Sequence, residues 1–191
     1  MRPRLVLATT NADKLAELVD LLGERYEVVR RPSELPETIE DQPTLVGNAT
    51  KKAKEIAAAT ATVALADDTG LFVDALDGRP GVHTARYAGI GATYEQNVSK
   101  LLGELAPVVE GRGAQFRTCV ALAWPDGRLL IGEGMVEGTI TEARRGSGGF
   151  GYDPVFAPVE GDGRTFAEMD RHEKAALSHR SRALSDLLRL L

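Results

Sequence analysis

The sequence predicts a three-layer α/β domain built on a mixed β-sheet. In the first half of the 191 residues, short apolar runs alternate with segments that carry capping residues and helical apolar spacing. In the middle of the chain, two long strand-like runs flank a tight turn. Alternating strands and helices favour parallel pairing, and a hairpin is antiparallel, so we expect both kinds of pairing. An arrangement of two lobes around one cleft stays open at this point.

The N-terminal half contains two capped helices between short strands. The apolar run 5–8 predicts a strand, and Asn11 can cap the helix that follows it. Residues 26–29 predict a second strand. Thr44 can cap an alanine-rich helix that reaches about Thr60. This order of elements is typical of βαβ units.

The middle of the chain combines a capped helix with a hairpin. Thr93 and Gln96 have the spacing of a capping box. The runs 116–124 and 128–137 flank Pro125-Asp126-Gly127, which predicts two antiparallel strands joined by a tight turn. This hairpin supplies the antiparallel part of the mixed sheet.

The C-terminal segment predicts two helices rather than one. Asp170 and Glu173 can form a capping box for a short helix. Leucines at helical spacing then continue to the last residue. We predict a break near Ser178, because on one continuous helix Lys174 and His179 would point about 140° apart.

The composition indicates one globular domain over residues 1–191. Hydrophobic residues make up 43% and charged residues 27%, which is ordinary for a soluble protein. The net charge of −5 argues against a nucleic-acid partner, and no apolar run reaches the roughly 20 residues that span a membrane. The single cysteine, Cys119, lies in an apolar run where core packing is expected. One cysteine and no signal peptide together predict a cytoplasmic protein.

The most informative segment is Asp67-Asp68, which follows the apolar strand-like run 63–66. Adjacent carboxylates at a strand end repel each other, and a hard divalent cation such as Mg²⁺ offsets that repulsion. The alternative is a turn, since Asp-Thr-Gly is good turn chemistry and 71–73 reads as a further strand. Glu40 and Asp41 lie in a polar loop, where they can join the same metal site or face water.

Three further groups of residues are candidates for phosphate or base contacts. The loop 9–14 opens a helix, whose N-terminus can bind phosphate, although a capped surface helix has the same pattern. Lys52 can aim a cation at developing phosphate charge or belong to a solvated helix face. Phe150 follows a glycine-rich run and can stack on a base or anchor the core. Lys174, His179 and Arg180 can converge if the helix breaks at Ser178.

Six motifs together resemble the inosine triphosphate pyrophosphatase family in the family's own order. They are Leu7-Ala8-Thr9-Thr10-Asn11 with Lys14, Asn48-Ala49 with Lys52-Ala53, Ala66-Asp67-Asp68-Thr69-Gly70-Leu71, Pro80-Gly81-Val82 with Ala85-Arg86-Tyr87, Gly148-Gly149-Phe150-Gly151-Tyr152-Asp153-Pro154-Val155-Phe156, and Glu173-Lys174 with Leu177-Ser178-His179-Arg180. Each motif alone is weak, but the six cover nearly the whole chain.

The resemblance implies an α/β fold with two lobes around a long, twisted mixed sheet and a central cleft, in a homodimer. It implies Asp68 as the catalytic carboxylate and metal ligand, Glu40 as the second ligand, and Mg²⁺ as the cofactor. It also implies substrate contacts by the following residues: Thr9, Thr10, Asn11, Ala12, Asp13, Lys14, Thr69, Phe150, Gly151, Tyr152, Asp153, Lys174, His179 and Arg180. Two positions depart from the family pattern: Thr69 replaces the commoner serine, and Gly47 stands where many members carry an acid.

The resemblance also implies the activity, which is hydrolysis of the non-standard purine nucleoside triphosphates ITP, dITP and XTP to the monophosphate and pyrophosphate. Water attacks the α-phosphorus, Asp68 or Asp67 accepts its proton, and Lys14 and Lys52 neutralise the leaving group. Donors at Lys174, His179 and Arg180 would favour a 6-oxo purine over adenine. The alternatives are a pyrophosphatase for pyrimidine or modified nucleotides and a nucleotide-binding regulator without turnover.

Overall fold

The computed structural model describes residues 2–191, in which seven strands and five α-helices are present. The strands are β1 (Arg4–Leu7), β2 (Glu27–Arg30), β3 (Ala64–Val73), β4 (Pro80–Gly81), β5 (Gly113–Ala123), β6 (Leu129–Ile140) and β7 (Phe156–Pro158). The helices are α1 (Ala12–Leu22), α2 (Leu45–Thr60), α3 (Tyr94–Glu104), α4 (Arg171–Leu177) and α5 (His179–Leu188). In this part of the chain, no helix has the length and apolarity needed to cross a membrane.

The sheet is mixed, as the sequence predicts. Its strand order is β2-β1-β3-β5-β6-β7, and β4 pairs with β3 beside this path. The β1 strand is parallel to both β2 and β3, whereas β4 is antiparallel to β3 and β7 is antiparallel to β6. The predicted hairpin is confirmed: β5 and β6 are neighbours, and in the connecting turn the Trp124 amide donates to the Arg128 carbonyl at 3.0 Å.

The chain divides into two compact units. The first comprises the chain up to Asp68, Cys119–Glu133 and Ala183–Leu191, and the second comprises Thr69–Thr118 and Gly134–Arg182. The strands β3, β5 and β6 each contribute residues to both units.

The first unit has the predicted three layers. Side chains alternate across a strand, so Leu65 packs into an apolar cluster with α1 and α5, while Ala64 and Ala66 pack into a separate cluster with α2. Cys119 is buried in the α2 cluster, as expected for a core residue. Helices therefore cover both faces of the sheet in this unit.

The second unit is built around aromatic side chains. The ring of Phe116 lies 4.6 Å from the ring of Phe156, whose centroid is in turn 5.4 Å from that of Phe166. Val98 and Leu101 of α3 pack into the same core. This core fixes the second unit's parts of β5, β7 and α3 against one another.

The predicted helix starts are confirmed, whereas the last helix ends at Leu188 and does not continue to Leu191 as predicted. Asn11 and Thr44 cap α1 and α2, and capping boxes begin α3 at Thr93 and α4 at Asp170. The predicted break is also present: Ser178 is extended, with φ −68° and ψ 146°, between α4 and α5. Capping chemistry is local, so the sequence alone specifies it.

The prediction of two separate strands, 63–66 and 71–73, with the acids at the end of the first, is wrong, and so is the alternative of a turn. Residues 64–73 form one continuous strand, β3, with both aspartates inside it. Gly70 is explained by a close approach rather than a turn, because a Cβ there would lie 2.7 Å from the Gly81 carbonyl oxygen of β4. The acids are therefore held by regular strand geometry.

Candidate active site

The two adjacent aspartates of β3 contact different helices. The Asp67 side chain lies on the same face of β3 as that of Leu65. It pairs with Lys14 of α1, with 3.1 Å between Nζ and Oδ2. The Asp68 side chain lies on the other face, with that of Ala66. It pairs with Lys52 of α2, with 3.1 Å between Nζ and Oδ1. Strand alternation thus separates two carboxylates that are neighbours in sequence.

Lys52 is the centre of the acidic cluster, which we define as Glu40, Asp67, Asp68, Lys14 and Lys52. Its Nζ donates to Glu40 Oε1 at 2.9 Å, to the Asp67 carbonyl at 2.8 Å and to Asp68 Oδ1 at 3.1 Å. An ammonium group has three donors, so this ammonium is fully engaged. Lys52 therefore organises the carboxylates, and it can reach a phosphate only by giving up one of these bonds.

Asn48 is a site residue to which the sequence analysis assigned no role. It is 1% exposed, its Nδ2 donates to Asp68 Oδ2 at 3.1 Å, and its Oδ1 accepts from the Gln42 amide at 3.0 Å. Asn48 consequently orients Asp68 and ties it to the loop that carries Glu40. An asparagine inside an alanine-rich helix, where it is a poor helix former, was the available signal.

Burial and charge shift the pKa values of this cluster. Burial raises the pKa of Asp68, although the nearby Lys52 and Lys14 ammonium groups partly oppose the shift. Burial also opposes the charged form of Lys52, but the carboxylates of Asp68, Glu40 and Asp67 outweigh it and raise its pKa. Lys52 thus stays protonated and balances acids that would otherwise repel each other.

The donor set of the acidic cluster fits a hard divalent cation. Glu40 and Asp68 both contact one ammonium group, so their oxygens already surround a single positive charge. Among the residues that the structure describes, no group of three or more His, Cys, Asp or Glu side chains could hold a metal by itself. Such a site suits a cation that takes one or two carboxylates and completes its shell with water and phosphate oxygens.

The predicted phosphate loop is a capped helix start. The side chain of Asn11 accepts from the amides of Asp13 and Lys14, both at 3.0 Å, and Thr9 Oγ1 accepts from the Asn11 amide at 3.2 Å. Thr10, Ala12 and Asp13 are exposed. A phosphate at this loop would compete with these bonds for the amides of Asn11 and Asp13.

The second unit holds a basic and aromatic cluster, which we define as Phe150, Asp153, Lys174 and Arg180. Lys174 Nζ lies 2.5 Å from Asp153 Oδ2, which also accepts from the Phe150 amide at 2.7 Å. The Lys174 ammonium is 4.8 Å from the centre of the Phe150 ring, and Arg180 Cζ is 5.8 Å from it. Two buried cations therefore border one half-buried aromatic ring.

The break at Ser178 brings Lys174 and Arg180, two of the three residues expected to converge, to the same ring. Arg180 Nη2 also donates to Thr69 Oγ1 at 3.2 Å. His179 packs elsewhere: its ring stacks on Phe116, with centroids 4.6 Å apart and planes inclined by 16°. Its position is that of a core aromatic.

The remaining loop residues differ in exposure. Tyr152 is 3% exposed and its hydroxyl donates to the Thr84 carbonyl at 3.0 Å, which is the environment of a core anchor. Gly151 is half-buried and has a φ of 64°, a conformation that favours glycine. Within this loop, Phe150 is the aromatic side chain beside the cations.

The mixed sheet with helices on its faces makes this an α/β protein, and each of its two units carries one charged cluster. Two solved structures share this fold over almost their whole length. The first is a HAM1 protein from Coxiella burnetii, with a TM-score of 0.88, 39% identity, and coverage of 100% of this chain and 98% of that one. The second is the Staphylococcus aureus Ham1 protein, with a TM-score of 0.85, 33% identity, and coverage of 98% and 97%.

The family model of the Ham1 family matches residues 5–190, and the chain belongs to that family. Similar curated proteins include the dITP/XTP pyrophosphatase of Geobacter sulfurreducens, 47% identical over 95% of this chain and 93% of its own length. The dITP/XTP pyrophosphatase of Caulobacter vibrioides is 44% identical over 98% and 97%. The resemblance drawn from the six motifs is confirmed.

Proposed function

We propose that this protein hydrolyses non-standard purine nucleoside triphosphates, namely ITP, dITP and XTP, to the monophosphate and pyrophosphate. The observation that carries the proposal is the buried Asp68 carboxylate, held between Lys52 and Asn48, in a chain whose relatives are named dITP/XTP pyrophosphatases. Hydrolysis at the α-phosphorus needs a base for water and cations for the phosphates. The acidic cluster and the loop 9–14 offer both.

The phosphate chemistry falls to the first unit in this proposal. Glu40 and Asp68 would hold Mg²⁺, which supplies charge neutralisation and lowers the pKa of a bound water. Asp68 accepts the proton of the attacking water. Asp67 keeps Lys14 at the start of α1, where the ammonium and the helix N-terminus favour the negative charge of the triphosphate.

The base is read by the basic and aromatic cluster. Phe150 offers a ring on which a purine can stack. Lys174 and Arg180 border that ring and donate to the 6-oxo group of hypoxanthine or xanthine. Adenine carries an amino donor at this position, so it would set a donor against the donors of Lys174 and Arg180, a mismatch that weakens binding strongly.

The proposal includes a homodimer, which the family resemblance supports. It also includes a location in the cytoplasm, which a chain with one, unpaired and buried cysteine supports. Light scattering after size-exclusion chromatography tests the dimer, because it gives the mass in solution independently of shape. A mass of 20.5 kDa would correspond to one chain and would reject it.

The first experiment measures pyrophosphate release from ITP, XTP, ATP, GTP and UTP, with Mg²⁺ and with a chelator. We expect metal-dependent pyrophosphate from ITP and XTP at much higher kcat/KM than from the other three. Release from UTP alone would replace the proposal with a pyrimidine pyrophosphatase. ITP binding without release from any nucleotide would indicate a regulator.

A further inference from the structure

We infer that Thr118 is a positioning residue for base recognition, which acts through Thr69 on Arg180. The inference rests on the proposed function, because it concerns how Arg180 meets the base. Thr118 belongs to β5 and is 2% exposed. Its Oγ1 lies 2.7 Å from Thr69 Oγ1, which accepts from Arg180 Nη2 at 3.2 Å.

The surroundings of Thr118 set it apart from a packing residue. The buried residues that follow it along β5, from Cys119 to Ala123, are otherwise apolar. A buried hydroxyl costs stability unless it is hydrogen-bonded, and here its partner is the hydroxyl of Thr69, 49 positions away in the sequence. The hydroxyl of Thr118 is therefore placed to hold Thr69.

Hydrogen-bond geometry gives this contact its effect on Arg180. A threonine hydroxyl has one proton and two acceptor sites, and Thr69 uses one acceptor site for the guanidinium. Whichever threonine donates to the other, the contact with Thr118 favours the χ1 rotamer of Thr69 that keeps both bonds. Thr69 Oγ1 is then held where it accepts from Arg180 Nη2.

A fixed acceptor matters because a guanidinium is planar and its donors point in set directions. If Thr69 Oγ1 turns away, the plane of Arg180 is less restrained beside the Phe150 ring. Its donors then meet the 6-oxo group in fewer of the conformations that it samples. The expected effect is weaker binding of the base, with little change in the reaction at the phosphorus.

The test compares wild type with Thr118→Val, which removes the hydroxyl at nearly constant shape, and Thr118→Ser, which retains it. We measure kcat and KM for ITP, and the Kd of inosine monophosphate by calorimetry without metal. We expect Thr118→Val to raise KM and Kd by about fivefold, with kcat changed less than about twofold. Thr118→Ser should restore both constants.

Thr165→Val is the matched control. Thr165 is also a buried threonine of the second unit, and its hydroxyl donates to the Arg145 carbonyl at 2.9 Å. Its loss should lower the melting temperature and leave KM and Kd at wild-type values. A merely structural role for Thr118 would give the same pattern as this control.

The outcomes separate the inference from the proposed function. If wild type hydrolyses ITP and Thr118→Val keeps its KM and Kd, or if Thr118→Ser is as weak as Thr118→Val, only the inference is overturned. If wild type releases no pyrophosphate from ITP, the proposed function fails and the inference fails with it. Should thermal unfolding show that Thr118→Val does not fold, Thr118→Ala replaces it in the same comparison.

Discussion

The acidic cluster of the first unit and the basic cluster of the second unit bury charge with opposite balance. In the acidic cluster, the three carboxylates of Glu40, Asp67 and Asp68 face two ammonium groups. With every group in its charged form, the cluster would carry one negative charge in excess. Such a group gains from a further cation, which is the property of a metal site.

The basic cluster shows the reverse. Lys174 and Arg180 border Phe150, and the carboxylate among them is that of Asp153. By its defining residues this cluster holds two cations and one carboxylate, a composition that suits a ligand presenting hydrogen-bond acceptors. The comparison teaches that the two units bury charged side chains of opposite predominant sign, so each suits a different kind of ligand group.

The largest expected effect is at Asp68, because it is the residue of the acidic cluster proposed to accept the proton of the attacking water. Asp68→Asn should lower kcat for ITP by at least about 10²-fold, the range of a lost general base. Pyrophosphate release measures it, and Asp126→Asn, in the exposed turn after β5, is the control. Wild-type turnover in Asp68→Asn would remove Asp68 from the mechanism.

A second substitution tests whether Lys52 balances the acids. Lys52→Met leaves buried carboxylates without that cation, which should cost about 3 kcal/mol of stability. Urea unfolding measures the loss, and added Mg²⁺ should recover more stability in this variant than in wild type. Lys51→Met is the control, since Lys51 pairs with the exposed Asp41 at 2.9 Å. An equal loss of unfolding free energy in Lys52→Met and Lys51→Met would show that Lys52 does not balance the buried acids.

The third prediction concerns base recognition. Arg180→Ala should raise KM for ITP by about tenfold or more, because a charged hydrogen bond to the base is lost. The change in kcat should be smaller. Arg182→Ala removes an arginine of the same helix that pairs with Glu160 at 2.6 Å, and its KM should equal that of wild type. An unchanged KM in Arg180→Ala would mean that other residues read the base.

The smallest effect is expected at Tyr152. Tyr152→Phe removes the hydrogen bond to the Thr84 carbonyl, so the free energy of unfolding should fall by about 1 kcal/mol. KM for ITP should not change if Tyr152 anchors the core. A raised KM at wild-type stability would add Tyr152 to the base site instead. Thermal unfolding and ITP kinetics on the same sample distinguish the two results.

Local chemistry explains which features could be predicted from the sequence. The caps at Asn11 and Thr44 and the break at Ser178 depend on neighbouring residues, and each is confirmed. The mixed sheet follows from the order of the elements. The residues of the two clusters were candidates because of the adjacent acids, the glycine-rich loop before Phe150 and the six family motifs, although the role of each stays a prediction.

The rest depends on partners that are distant in sequence. The course of β3 through Asp67 and Asp68 rests on Lys14 and Lys52 from two helices, and turn chemistry gives no sign of them. The close approach of β4 to Gly70 is equally invisible in the sequence. Long-range contacts of this kind override local preference.

The single thiol of the chain has a practical consequence. Cys119 is 1% exposed, and burial, with the charge of Glu133 adding to it, raises its pKa to about 12. A buried thiol that is hardly ionised near neutral pH does not react with alkylating reagents while the first unit stays closed. The rate at which Cys119 is alkylated therefore reports how often the first unit opens far enough to expose it. Alkylation of Cys119 therefore measures the rate of local unfolding of the native state, without any engineered label, in the wild type and in its variants.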